Sequence, residues 1–524
     1  MKEPEGDANN IENIYINIFM YNFNYRFMKK NHLSLRGKTY GLMALAMSAL
    51  CFTSCAVDGY DDEDFGPSVN NSVMVSPGDS VLTVVSSADG KTQTISWPVV
   101  HGAGGYLVSL WNVDDPENKI VADSIVDGCS VTLPRMEDTY YVFSIKTLGN
   151  TDVNNSDAEV ATEYRFTTFM PADAVVPNGT DLYEWAQTPE IDSLIKTPTE
   201  KTVIFDLEPG GSYTLSGVVD FGHNKVLLRT ASKTDYATIA YGTGASIRFG
   251  GGFILRYMNI DGLGTTDPIL GLSDNPNEAI KGMNSHYIIN DPVTIQNCYA
   301  YNVQRKFLYD NKKKYCIATF LIENTTINFT TDAGMSGGTY FEIYDGGGFI
   351  NDFTARNCTF WNSTNTILGA LKHAKYFLRY NNAGRCDRAD FSKNSINMYN
   401  CTFYNIAKTG QLCNHGGFDG RATSEYEILN NIFVDCGSNQ VPRRIVGRVG
   451  DPDKTIFNNN TYWFDGKAEI CDPAVTGNNT QYDTGYQLQS DPAFVDAENG
   501  DFTPTGAEQV ALQTGDSRWF PSAE

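Results

Sequence analysis

The sequence predicts an all-β protein in two parts, a small sandwich followed by a coil of parallel strands. Three observations predict it. Six stretches in the second half repeat one pattern: VTIQNCYAYN (293–302), FLIENTTINF (320–329), FTARNCTFWN (353–362), INMYNCTFYN (396–405), YEILNNIFVD (426–435) and TIFNNNTYWF (455–464). A second, shorter pattern lies upstream of five of them. Residues 72–168, by contrast, alternate strands and turns without repeating.

Each long repeat is an apolar-alternating strand, an Asn, a one-residue step and a second strand carrying an aromatic residue or Ile. The Asn residues are 297, 324, 357, 400, 430 and 459. A motif recurring this way is one supersecondary unit stacked on copies of itself. Parallel strands one turn apart sit about 4.8 Å from each other, so like residues form ladders. Asn tolerates the left-handed conformation at a tight turn, and its amide can bond the Asn above and below. Cys298, Cys358 and Cys401 each follow the Asn, as small apolar core residues would. The eleven Cys show no CxxC or Cys/His metal spacing.

The shorter pattern is FLYD (307–310), EIYD (342–345), FLRY (377–380), QLCN (411–414) and RIVG (444–447). Its aliphatics, Leu308, Ile343, Leu378, Leu412 and Ile445, are expected inside. Alternation then places two columns outside. One is Phe307, Glu342, Phe377, Gln411 and Arg444; the other is Tyr309, Tyr344, Arg379, Cys413 and Val446. The coil is predicted over 201–505, beginning with rungs such as TVIFDL (202–207), KVLLRT (225–230) and FILRYMNIDG (253–262). Residues 169–200 read as a linker and N-terminal cap with a short helix near YEWAQ (183–187). Residues 506–524 form a tail whose GDSRW (515–519) is expected at the far end.

Residues 72–168 contain seven strand-like runs, from VLTVVS (81–86) to EYRFTTF (163–169), separated by turns such as Ala-Asp-Gly (88–90). Seven strands in about 100 residues predict an immunoglobulin-like sandwich. Trp97, Tyr106 and Tyr141 resemble the core of a fibronectin type III domain.

Residues 1–27 show no pattern, and Met28 reads as the true start. Lys29, Lys30, His32, Arg36 and Lys38 precede an apolar run, Leu42–Phe52, too short to be a typical membrane span. The segment 28–54 resembles a bacterial lipoprotein signal, with Cys55 the acylated residue. An ordinary secretory signal is the alternative. Residues 55–71 form an acidic tether, and Asp58 and Asp61–Asp64 resemble an export tag to the outer face of the outer membrane.

The chain holds 39 Lys and Arg against 62 Asp and Glu. Without residues 1–54, which carry six basic and four acidic groups, 33 basic face 58 acidic groups, a net −25. Such a chain repels nucleic acid and anionic membranes.

The Asn turns, the Thr-Phe or Ile-Phe strands and the tail Asp-Pro-Ala-Phe-Val-Asp…Asn-Gly-Asp-Phe (491–502) resemble the right-handed parallel β-helix of pectate lyases and polygalacturonases. With the sandwich and the lipid signal, the chain resembles surface lipoproteins of glycan-utilisation loci. That resemblance implies an acidic, plant-type polysaccharide partner, outer-membrane lipid through Cys55, and neighbouring glycan-uptake proteins.

Rings that stack on sugars and Arg that forks onto carboxylates make Tyr309, Glu342, Tyr344, Phe377, Arg379, Gln411, His415 and Arg444 the glycan-binding candidates. A lyase needs a base, for which Lys375, Arg379, Arg444 and Arg448 are candidates. It would often use Ca²⁺, for which Glu342, Asp345, Asp387 and Asp390 are the candidate ligands. A polygalacturonase-type hydrolase is disfavoured, because Asn414-His415-Gly416-Gly417 has no matching Asp pair. No catalytic set can be read, so polysaccharide capture is the first expectation. A lyase is the second, and a structural or adhesive surface protein the third.

Overall fold

The computed structural model describes residues 69–330, 338–363, 374–380, 391–415, 418, 420–439, 441–469, 483 and 485–520. The protein is predominantly β-sheet. Cys55, the tether's acidic run, Asp387 and Asp390 lie outside the described residues.

Between residues 83 and 167, two antiparallel sheets form, one of three strands and one of four. Alternation along the strands sends Ile95, Trp97, Tyr106, Val108, Leu110, Tyr141, Phe143 and Ile145 into one shared core. Trp97 meets Tyr106 edge-on at 5.2 Å.

From residue 203 onward the chain returns again and again to the same strand positions. One full turn is Thr339–Ile343, Phe349–Arg356 and Thr359–Asn362. The next is Tyr376–Tyr380, Asn394–Tyr399 and Thr402–Tyr404. Each strand pairs in parallel with its counterpart one turn later. The interior is a stack of like side chains. Phe360, Phe403, Phe433 and Tyr462 follow in register, with ring centroids 5.1, 4.8 and 5.7 Å apart.

All six repeat Asn residues are left-handed, with φ between 49° and 58°. Asn357 Nδ2 donates to Asn324 Oδ1 (3.2 Å), Asn430 to Asn400 (3.4 Å) and Asn459 to Asn430 (3.1 Å). Tyr257 occupies the matching place one turn before Asn297, also left-handed at φ 56°. Such a backbone is costly for a bulky residue. Its hydroxyl donates to Asp138 Oδ2 of the sandwich (3.3 Å). Cys298, Cys358 and Cys401 are buried free thiols. Burial pushes the Cys298 thiol up to about 12.

Sandwich and coil are joined through a buried charge cluster. Arg229 is fully buried, and its guanidinium binds Asp206 (2.7 Å), Asp138 (3.1 Å) and the Met170 carbonyl (2.5 Å). Arg256 adds a bond to Asp138 at 3.0 Å. At the coil's beginning, helices Leu182–Ala186 and Pro189–Lys196 bury Leu182, Ile191 and Ile195 in the coil's core. Asp181 accepts from the amides of Tyr183 and Glu184, which starts the first helix.

Two expectations about the coil are corrected. RIVG is not a strand: Val441–Ile445 is α-helical. Pro442 has no N–H for a sheet ladder but suits a first helical turn. The tail segment 515–519 does not close the far end. It runs along the side of the coil, where Gly515 N donates to Asn430 O, Asp516 N to Thr402 Oγ1, and Arg518 to Asn324 O and Thr326 Oγ1.

Candidate functional site

Seven parallel strands form the third side of the coil: Val218–Asp220, Ser246–Phe249, Leu270–Leu272, Leu308–Tyr309, Thr339–Ile343, Tyr376–Tyr380 and Gln411–Asn414. Their pairing differs from the spacing of the aliphatics. Leu308 is opposite Phe341, not Ile343, and Leu378 is opposite Cys413, not Leu412. The connections between strands differ in length from turn to turn, as 343 to 349 against 380 to 394, so near-equal sequence spacing did not mean equal register. Val219, Ile247, Leu270, Leu308, Phe341, Leu378 and Cys413 face the core. On the opposite face a single file runs Asp220, Arg248, Gly271, Tyr309, Glu342, Arg379 and Asn414.

The file brings Tyr309, Glu342 and Arg379 onto three successive strands, although alternation had divided them between two columns. Glu342 is 3% exposed, and each of its oxygens meets a cation. Arg379 Nη1 donates to Oε1 at 3.2 Å, and Lys306 pairs with Oε2. Rings flank both cations. The Arg379 guanidinium lies 3.5 Å from the Tyr344 ring centre and 5.1 Å from Tyr376, and Lys306 Nζ lies 3.9 Å from Tyr309. Partly exposed cation–ring contacts of this kind contribute about 1 kcal/mol. Lys375 is exposed beside Tyr376, its Nζ 5.3 Å from the ring centre. Gln411 pairs with Tyr376 across the next strand.

Two titrating groups report the field here. Burial pushes the Tyr376 phenol up, but hydrogen bonds from Lys375 and Asn414 and the charges of Lys375 and Arg379 outweigh it. The phenol ends below its ordinary value. Asp310, next to Tyr309, is buried and accepts from the Gly346 and Lys312 amides (2.7 and 2.9 Å). Burial, opposed by those two bonds and reinforced by the charges of Asp345 and Glu342, pushes its carboxyl up to about 6. In the unfolded chain an Asp titrates near about 4. Between those values the folded protein holds a proton that the unfolded chain has lost. Its contribution therefore falls as pH rises from about 4 to about 6 and is level above. In Asp310→Asn, the decline of unfolding free energy between about pH 4.5 and 7 should be shallower by about 2 kcal/mol. Urea melts at both pH values measure it, and an unchanged slope would refute the assignment.

Several candidates are corrected. Phe377 is fully buried and packs against Phe341, Phe360 and Phe403, at 5.0 to 5.3 Å. Alternation requires a straight strand with one solvated face, and Tyr376, Phe377 and Leu378 are all buried. Phe307, Cys413 and Val446 are core residues as well. His415 is 3% exposed, lies among Tyr380, Phe418 and Tyr426, and its Nε2 donates to Ile445 O (2.5 Å). It is a core histidine. Arg444 sits on the helix that replaces the expected strand. Arg448 is exposed in a loop, and its carbonyl accepts from Gly420 N (2.9 Å).

Of the four calcium-ligand candidates, Glu342 and Asp345 are among the described residues, and both are engaged within the protein. Glu342 engages Lys306 and Arg379, and Asp345 accepts from the Tyr309 hydroxyl (2.8 Å). Among the described residues, no three His, Cys, Asp or Glu side chains converge to hold a metal. Lys306 and Tyr376 escaped the sequence reading. Their signal was weak, because each lies one residue before a four-residue pattern, Lys306 before 307–310 and Tyr376 before 377–380.

Comparisons with known proteins add family matches without a function. Residues 28–208 match DUF4992, 211–363 match DUF4957 and 396–519 match DUF5123, all described as domains of unknown function. Each covers less than half of the chain. No curated protein matches. Among solved structures, the chain is similar to the pectate lyase PelI from Erwinia chrysanthemi in complex with tetragalacturonic acid. Identity is 9% over 78% of this chain and 99% of that one, with a TM-score of 0.14. A likeness at that score carries no argument about fold or chemistry.

Proposed function

We propose that this chain is a lipid-anchored protein of the outer cell surface. An immunoglobulin-like, fibronectin type III-like sandwich is followed by a right-handed parallel β-helix that captures an acidic polysaccharide. The observation that carries the reading is the pairing of Lys306 and Arg379 with the half-buried rings of Tyr309 and Tyr344 around Glu342. Tyrosine faces suit sugar rings, and the guanidinium suits a uronate carboxylate. Glu342 holds both cations in place, so their geometry exists before ligand arrives.

Affinity electrophoresis in polygalacturonate tests it. Arg379→Ala and Tyr344→Ala should each weaken retardation by about tenfold in apparent affinity. Wild-type mobility in both variants would remove this face from the proposal. For the anchor, palmitate labelling in cells should disappear in Cys55→Ala, and persistent labelling would place the lipid elsewhere.

One observation favours a second reading, a lyase acting by β-elimination. The lowered Tyr376 phenol sits beside Lys375 and Arg379, where a base could take the proton next to a bound carboxylate. In that reaction the base takes the proton from C5, its C–H pair forms the C4–C5 double bond, and the C4–O4 bond breaks with its electron pair leaving on O4, which takes a proton from solvent. Ultraviolet absorbance of the unsaturated uronate would rise with wild type and stay flat with Tyr376→Phe. A flat trace with wild type leaves capture.

A further inference from the structure

A cleft of about 840 Å³ lies at the N-terminal end of the same seven-stranded face. That volume is within the range of small-molecule sites. Its floor is the strand Val218–Asp220 with residues 222–225. One wall is the helix Pro189–Lys196 with residues 198–200, and the other includes Ser273, Asn275 and Asn277.

The walls are pinned to the floor. Asn224 Nδ2 donates to the carbonyls of Leu194, Ile195 and Thr197 (3.2, 3.0 and 2.9 Å), and its Oδ1 accepts from Thr199 N (3.2 Å). On the other side, Asp220 accepts from Ser273 Oγ (2.6 Å) and His223 Nε2 donates to Asn275 O (2.6 Å). Such a cleft is formed before ligand binds.

Its charge is unlike that around Arg379. The lining bears four acids, Asp192, Glu200, Asp220 and Asp291, and two lysines. Lys196 pairs with Asp192 (2.6 Å) and Lys225 with Asp291 (3.7 Å). Asp220 and Glu200 thus have no cation of the lining left to balance them, and a uronate would be repelled. The remaining surface suits hydroxyl groups. Asn275, Asn277 and Gln187 offer both donors and acceptors, and Tyr183 supplies a ring. Tyr183 lies over Gly217, where a β-carbon would come within 2.9 Å of the ring.

We infer that this cleft is a second binding site, for a neutral sugar unit. Asp220 and Arg379 are five strands apart in one file, about 24 Å at the parallel-strand spacing. One sugar residue cannot reach both, so the two sites act on different units and the cleft stands independently of the acidic site.

Isothermal titration of the full chain with galactotriose, xylotriose, cellotriose and trigalacturonate tests it. At least one neutral trisaccharide should bind. Tyr183→Ala should weaken it about tenfold, and Arg379→Ala should leave it unchanged. With histidine-labelled protein, the same sugar should shift the His223 imidazole resonance, identified by its loss in His223→Gln. Binding by none of the neutral sugars, binding by trigalacturonate at this cleft, or insensitivity to Tyr183→Ala would each overturn the inference. Failure of the acidic site would instead appear as lost polygalacturonate retardation with the neutral binding intact.

Discussion

Arg229→Ala should destabilise the protein by about 3 to 5 kcal/mol, the cost of breaking a buried ion cluster from one side. The variant leaves Asp206 and Asp138 in the interior, 9% and 5% exposed, where water cannot replace the lost guanidinium. Arg256 and Tyr257 still bond Asp138, so Asp206 carries most of the penalty. The Phe169 ring, 4.8 Å from the guanidinium, loses its partner too. A double variant, Arg229→Met with Asp206→Leu, should recover most of the loss, because an apolar pair needs no counter-charge. Chemical unfolding of the three proteins decides it. If Arg229→Ala melts with wild type, the cluster does not join the two parts.

The second large effect is expected at the tail. Asp516 is 1% exposed and accepts from Thr359 Oγ1 (2.7 Å) and from Arg518 Nε (3.0 Å). Trp519 Nε1 donates to the same Thr359 hydroxyl (2.8 Å). Asp516→Ala removes the one carboxylate that these groups share and strands the Arg518 charge, 35% exposed, against the coil. About 3 kcal/mol should be lost. Hydrogen exchange should rise at the amides of Gly515 and Asp516, which donate to Asn430 O and Thr402 Oγ1. Unchanged protection there would show that the tail lies on the coil without holding it.

The ladder was readable because its geometry admits few residues. A left-handed turn repeated every rung wants Gly or Asn, and Asn also bonds its neighbours, so six Asn in equivalent places point to one structure. The third side of the coil was harder to read. Its strands are two to five residues long, and an insertion of one residue in a turn changes the partner without changing the pattern. Hence Tyr309, Glu342 and Arg379 were named singly, while their common file was not. The helix at Val441–Ile445 had a visible cause in Pro442, which the aliphatic spacing concealed. Arg229 was readable in principle. In VIFDL and VLLRT, Asp206 and Arg229 hold the same place on adjacent rungs, and opposite charges at matched positions of buried strands compensate each other.

The position of the tail sets an order on biogenesis. Arg518 reaches a carbonyl 194 residues earlier, and Asp516 a hydroxyl 157 residues earlier. The tail's partners belong to several different rungs, so it can dock only on turns that are already wound. Contacts of such sequence separation form late. A chain truncated before Gly515 would therefore present an unsealed flank to the proteases and chaperones it meets.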